Sequence, residues 1–253
     1  MKKKALLLAP AVALGLSAMG AAPAMADHAE GQYMTTFQDI NNTGASGEAW
    51  ITVEGDTATV TVEAAGLAET FNNAPFPHVQ HIHIAAQGVC PPMSADKNGD
   101  GIIDTVEGQP FYGEIGTTLS VGDAAKDAST ATDVTVAPSG SSFTYEETFT
   151  LNEATQDSLA NGTGVIVVHG IDPSGLSEEA ATAPSNLVPE LPLAATAPAL
   201  CGELSMMPAG GADTGVTKSD QGGNEMGMVA LGGGLLVAAG GAYAVRRRMV
   251  ADR

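Results

Sequence analysis

The chain has 253 residues and a formal net charge of −19, with 29 Asp and Glu against ten Lys and Arg. A balance this acidic excludes nucleic acid and anionic lipid surfaces as partners of its main body, since both are bound through Lys and Arg. The length suffices for one domain with a real core, plus terminal segments of other character.

Lys2, Lys3 and Lys4 open the chain, residues 5–19 are apolar, and Ala24-Met25-Ala26 supplies small residues at a cleavage spacing. This is the order of a secretion signal, so a signal peptide over residues 1–26 and a mature start at Asp27 are expected. From Tyr33 the pattern is strand, turn, strand. Thr57, Thr59 and Thr61 alternate with Ala58, Val60 and Val62, a period of two that predicts a strand with one buried face. Residues 49–53 are its predicted partner, joined through Gly55-Asp56, which suits a tight hairpin.

A third strand carries His81 and His83. Val134 and Val136, then residues 143–151, predict another hairpin turning at Ser139-Gly140. Asn152 can cap a short helix through Leu159 that stops at Asn161-Gly162. The apolar run 165–169 reads as a central strand, and proline-rich sequence over 184–198 leads to Cys201-Gly202-Glu203-Leu204. Many short strands with turns between them and little helix predict an all-β sandwich of Greek-key type over residues 27–205.

Residues 206–225 are rich in Gly, Ser, Asp and Thr and read as a flexible stalk. Residues 226–245 are apolar and glycine-rich, and Arg246, Arg247 and Arg248 open the basic tail 246–253. About 20 apolar residues cross a bilayer and the basic flank stays in the cytoplasm. The expectation is an exported, single-pass membrane protein with residues 27–225 outside. A sortase substrate carries a similar tail, but no LPxTG motif is present, so membrane anchoring is preferred. Over residues 27–225, 28 acidic residues face only Lys97, Lys126 and Lys218, a net charge of −25.

Two regions carry metal chemistry. Residues 96–107 match the twelve-residue calcium loop at each liganding position: side-chain oxygens from Asp96, Asn98 and Asp100, and the backbone carbonyl of Ile102. Asp104 and the two-oxygen ligand Glu107 follow, with Gly101 at the sharp turn. Pro91-Pro92 before it and Gly108-Gln109-Pro110 after it predict non-helical flanks, hence a calcium loop inserted in a β-protein. His81 and His83 stand two apart on a strand and so share a face, a metal-ligand spacing that suits copper and zinc. His169 ends the central strand and could add a third nitrogen. His78 is on the opposite parity. Two cysteines in an exported chain favour a disulfide, Cys90–Cys201, over a metal pair. Closing so long a loop contributes roughly 4–5 kcal/mol on the chain-entropy model.

Taken in order, His81-Ile82-His83, Cys90, Val167-Val168-His169-Gly170-Ile171-Asp172 and Leu200-Cys201-Gly202 resemble copper/zinc superoxide dismutase. With Ser46-Gly47-Glu48-Ala49 upstream, they also resemble the bacterial CHRD (chordin-type) modules. The similarity spans most of residues 33–205 through short motifs. It implies a dismutase-like sandwich, copper at His81, His83 and His169, and Cys90–Cys201 as the structural disulfide. The departures are as informative. No histidine lies between His83 and His169, so the bridging and zinc ligands of the dismutases are missing and zinc is not expected. His78 is the only candidate for a fourth copper ligand. Residues 194–200 hold no arginine to guide a superoxide anion. The first expectation is therefore an extracellular CHRD-type module that binds metal, with calcium in the loop, and without efficient catalysis. The alternatives are a copper-dependent dismutase-like oxidoreductase and a cell-surface copper-binding protein.

Overall fold

The computed structural model describes residues 29–208. The predicted signal peptide, nearly all of the stalk, the 226–245 segment and the basic tail lie outside them.

The described chain is mostly antiparallel β-structure. Strands β1 (Gly31–Thr36) and β2 (Gln38–Asp39) come first. The predicted hairpin follows as β3 (Ser46–Glu54) and β4 (Thr57–Ala65), paired from Glu54↔Thr57 to Ser46↔Ala65. Its turn contains Gly55 at φ +61°, the left-handed region that glycine enters without a Cβ penalty. Short strands β5 (Thr70–Phe71) and β6 (Ala74–Pro75) form a small separate ladder. Next are β7 (Gln80–Ile84), helix α1 (Thr105–Tyr112), β8 (Glu114–Thr118) and β9 (Ser142–Thr150). Helix α2 (Glu153–Ala160) and β10 (Val165–His169) precede two short helices, α3 (Glu178–Thr182) and α4 (Leu193–Thr196). Strands β11 (Pro198–Glu203) and β12 (Ser205–Met206) end the fold.

Two five-stranded sheets result, in the orders β12-β1-β3-β4-β9 and β2-β11-β10-β7-β8. The alternation in β3 and β4 turns Ile51, Val53, Val60 and Val62 inward. They share one buried cluster with Ile82, Ile166, Val168 and Leu200 of the second sheet. Full burial of such side chains contributes about 1.5–3 kcal/mol each, which makes this cluster the main source of cohesion.

Strands β7 and β10 are buried on both faces. This explains why residues 165–169 read as an unbroken apolar run instead of an alternating one. Their second face carries Val165 and Val167, packed with Tyr112, Ile103 and the Cys90–Cys201 pair. The disulfide is present, with Cα atoms 5.8 Å apart. It ties the segment before the acidic loop to β11.

Several local expectations are corrected. Val134–Val136 is a 3₁₀ turn and not a strand, because the Asp133 carboxylate takes the Thr135 amide and hydroxyl. Strand β9 pairs instead with β4, along its whole length. The acidic loop has a helical exit, α1, despite Pro110. Asp104 caps it by accepting from the Glu107 amide while Glu107 accepts from the Asp104 amide. A 3₁₀ turn, Met93–Ala95, precedes the loop. Pairing also runs past residue 205: Met206 faces Tyr33, and the Met207 amide donates to Gln32. Helix α2 is capped by Asn152 as expected, through the Thr155 amide. Among the described residues no helix is long and apolar enough to cross a membrane.

Candidate metal centre

His81 and His83 lie on the β7 face opposite Ile82, and β10 pairs alongside with Val167 facing His81 and Val165 facing His83. His169 shares the parity of Val165 and Val167, so the three imidazoles gather on the loop-covered side of the second sheet. Two irregularities in strand register help aim them. One falls between Ile82 and His83 against β8, the other between Val168 and His169 against β11. Bulges of this kind bend a strand and redirect a side chain.

One ring nitrogen from each of His81, His83 and His169 lies within 4.8 Å of the other two, and all three residues are buried. One nitrogen of each ring is engaged by a backbone carbonyl. His81 Nε2 donates to Ala131 at 3.0 Å, His83 Nδ1 to Gly113 at 3.0 Å, and His169 Nδ1 to Thr196 at 2.7 Å. A carbonyl can only accept, so each contact places the proton on the bonded nitrogen and leaves a lone pair on the other. Those others are His81 Nδ1, His83 Nε2 and His169 Nε2, three of the seven buried side-chain polar atoms without a hydrogen-bond partner among the described residues. An orphaned buried acceptor costs about 1–3 kcal/mol. Three together, with tautomers fixed by outer carbonyls, form the arrangement by which proteins orient histidines toward a metal.

The electrostatics agree. Burial, and then the neighbouring histidines, hold His81 well below the usual histidine range. His83 is lowered to about 3 by burial and by His169, and His169 to about 4 by burial. All three rings are neutral near pH 7, the state in which imidazole ligates. The donor set fits a transition metal that accepts three imidazoles.

Helix α1 supports the centre. Tyr112 at its end packs against the His83 ring, centroids 4.5 Å apart. Gly113 follows at φ +99° and presents its carbonyl to His83. A Cβ there would sit 1.8 Å from the Ile84 carbonyl oxygen, so only glycine fits. At the other end of α1, Thr105 Oγ1 donates to the Thr196 carbonyl that also accepts from His169.

His78 is not brought to this group. Its ring lies between Phe76 and Phe143, and its two nitrogens are each 2.9 Å from a carbonyl oxygen, of His169 and of Ala68. A neutral ring donates to one of these, and neither nitrogen is directed at the other histidines.

The acidic loop is built differently. Asp96 accepts from the Gly99 and Gly101 amides, Asp100 from Ile102, and Glu107 from Lys97, Asn98 and Asp104. The second Asp104 oxygen is taken by the Asn186 side chain. Gly101 has φ +87°, as the loop pattern requires. Ile102 is buried in the main core. Among the described residues, His81, His83 and His169 are the only group of three or more His, Cys, Asp or Glu whose ligand atoms converge.

Fold and site thus define an all-β protein with a buried three-histidine cluster beside a folded acidic loop. No family model matches the chain, and no curated protein matches it.

Proposed function

We propose that the chain is an extracellular metal-binding module, in which His81, His83 and His169 hold a transition metal ion, copper by resemblance to the dismutase pattern. One observation carries the reading: three buried histidines offer ring nitrogens within 4.8 Å of one another, and each ring keeps one nitrogen without a partner while a backbone carbonyl sets its tautomer. A bound copper would supply one-electron redox chemistry. The protein's own part is to keep the imidazoles neutral, orient them through Ala131, Gly113 and Thr196, and shield them from solvent. The two-sheet architecture and the motif order support a Greek-key, dismutase-like sandwich of the CHRD type. Export and anchoring rest on the terminal sequence patterns, the basic and apolar run ending in Ala24-Met25-Ala26 and the apolar residues 226–245 followed by Arg246, Arg247 and Arg248.

Binding without efficient dismutase turnover is favoured, because no Lys or Arg lines the space beside the histidines. Superoxide approaching so acidic a surface would be slowed, not steered. Calcium in the 96–107 loop is a second reading, supported by the liganding pattern and by a turn already folded in the required sense. There the metal would stiffen a loop that leads directly into α1.

Copper loading of the full chain, removal of loose metal with a weak chelator, and electron paramagnetic resonance test the first reading. The expected result is one retained copper per chain with a multi-nitrogen signal, lost in His81→Ala and His169→Ala and kept in His78→Ala. No retained copper would refute it.

A further inference from the structure

A cavity of about 40 Å³ lies against His81 and His169. A water needs roughly 10–15 Å³ on this scale, so there is room for a small guest. Its walls include Val79, Ile115, Val134, Val188 and Leu191, and its lining reaches the exposed residues Thr132 and Leu187. His83 does not line it. A guest entering here therefore meets the histidine centre from the side of two of its three ligands.

No charged residue lines this space. The lysines among the described residues are engaged elsewhere. Lys97 donates to the Ser94 carbonyl, and Lys126 donates to the Ser120 and Gly122 carbonyls over the Tyr145 and Phe149 rings. Exposed carboxylates stand beside the lining in the chain: Asp133 between Thr132 and Val134, and Glu190 next to Leu191. Hydrogen bonds from Thr135 hold Asp133 below the usual carboxylate range, so it stays ionised. An anion would leave water for apolar walls past negative charge, with no lysine or arginine along the way to offset that cost before it reached the metal. A small neutral molecule incurs neither cost.

We propose that this cavity admits an uncharged molecule of diatomic or triatomic size, of the class of dioxygen, nitric oxide or carbon monoxide, to the metal at His81 and His169, and excludes small anions. The inference rests on the metal-centre reading, and it concerns binding, not turnover.

Two measurements on the full chain test it. The metal-free protein is exposed to xenon, a neutral apolar probe, and the ring signals of His81 and His169 are followed by NMR. They should shift on pressurisation, and the shift should vanish in Ala195→Phe, which fills the cavity. The copper-loaded protein is then titrated with carbon monoxide in its reduced form and with azide in its oxidised form. Carbon monoxide should bind one per copper, while azide leaves the resonance spectrum unchanged. Leu187→Arg, at an exposed position on the cavity lining, should tighten azide at least about tenfold. Azide binding equally well to the native chain and to Leu187→Arg would overturn the inference. Xenon failing to reach the histidines while copper is retained would overturn it alone. Copper failing to bind while xenon enters would sink the metal-centre reading and the inference with it.

Discussion

His81, His83 and His169 come from two strands far apart in the sequence, yet they gather in the interior with ring nitrogens within 4.8 Å of one another, and each ring keeps one nitrogen without a hydrogen-bond partner. The acidic loop gathers all its ligand positions within residues 96–107, yet its carboxylates are already occupied by its own amides. In the first region the fold leaves acceptors orphaned, a cost that a metal would remove. In the second the loop satisfies itself, so a cation must compete with internal hydrogen bonds for the same oxygens. A match to a sequence motif and preorganisation for a ligand are separate properties, and this chain shows them apart.

The comparison can be strained most severely at the disulfide, which joins the segment before the acidic loop to the strand beside β10. Replacing both Cys90 and Cys201 by Ala should lower unfolding stability by about 5 kcal/mol in denaturant titration, since the pair stands 111 positions apart in the sequence. Copper affinity should fall with it, because Val167 packs against Cys201 on the histidine side of the sheet. Stability unchanged within about 1 kcal/mol would show that the bond does not constrain the fold.

Acid tests the histidine region next. The histidine pKa values are depressed in the folded protein, to about 3 for His83 and about 4 for His169. Below the ordinary value near 6.5 the unfolded chain therefore binds more protons than the native one. Stability of the metal-free chain should be level above about pH 6.5 and decline as the pH falls from there toward about 3. His83→Gln should flatten part of that slope. Melting temperature against pH reads both outcomes.

The smallest effect is expected at the start of α1. Asp104→Ala removes the cap and should cost about 1 kcal/mol. It should weaken calcium binding by calorimetry and leave the copper signal nearly unchanged. A large loss of copper would show that the two regions are coupled through α1 more strongly than their separate hydrogen bonds imply.

The β3–β4 hairpin, the Asn152 cap, the central strand β10, the disulfide and the shared face of His81 and His83 were all legible in the sequence. Each rests on a local signal: alternation, turn chemistry, a capping residue, or two lone cysteines. The partners that orient the histidines left no such signal, because Ala131, Gly113 and Thr196 act through backbone carbonyls that any residue carries. Only Gly113 held a trace, its left-handed φ. The register irregularities beside His83 and His169 were equally silent. Val134 and Val136 misled because alternating valines suit a strand, while Asp133 folds them into a turn. Pro110 likewise suggested a break, yet the reciprocal capping of Asp104 and Glu107 sets the helix first. His78 had the chemistry of a ligand, but the carbonyls of Ala68 and His169 hold it elsewhere.

The central claim is that three named nitrogens carry lone pairs aimed at one point. Long-range ¹⁵N–¹H correlation of the imidazoles in the metal-free chain, repeated with one equivalent of copper(I), tests it directly. The protonated nitrogens should be His81 Nε2, His83 Nδ1 and His169 Nδ1, and copper should shift their unprotonated partners together while the His78 ring stays put. A different tautomer at any of the three, or copper shifts appearing at His78 instead, would contradict the account.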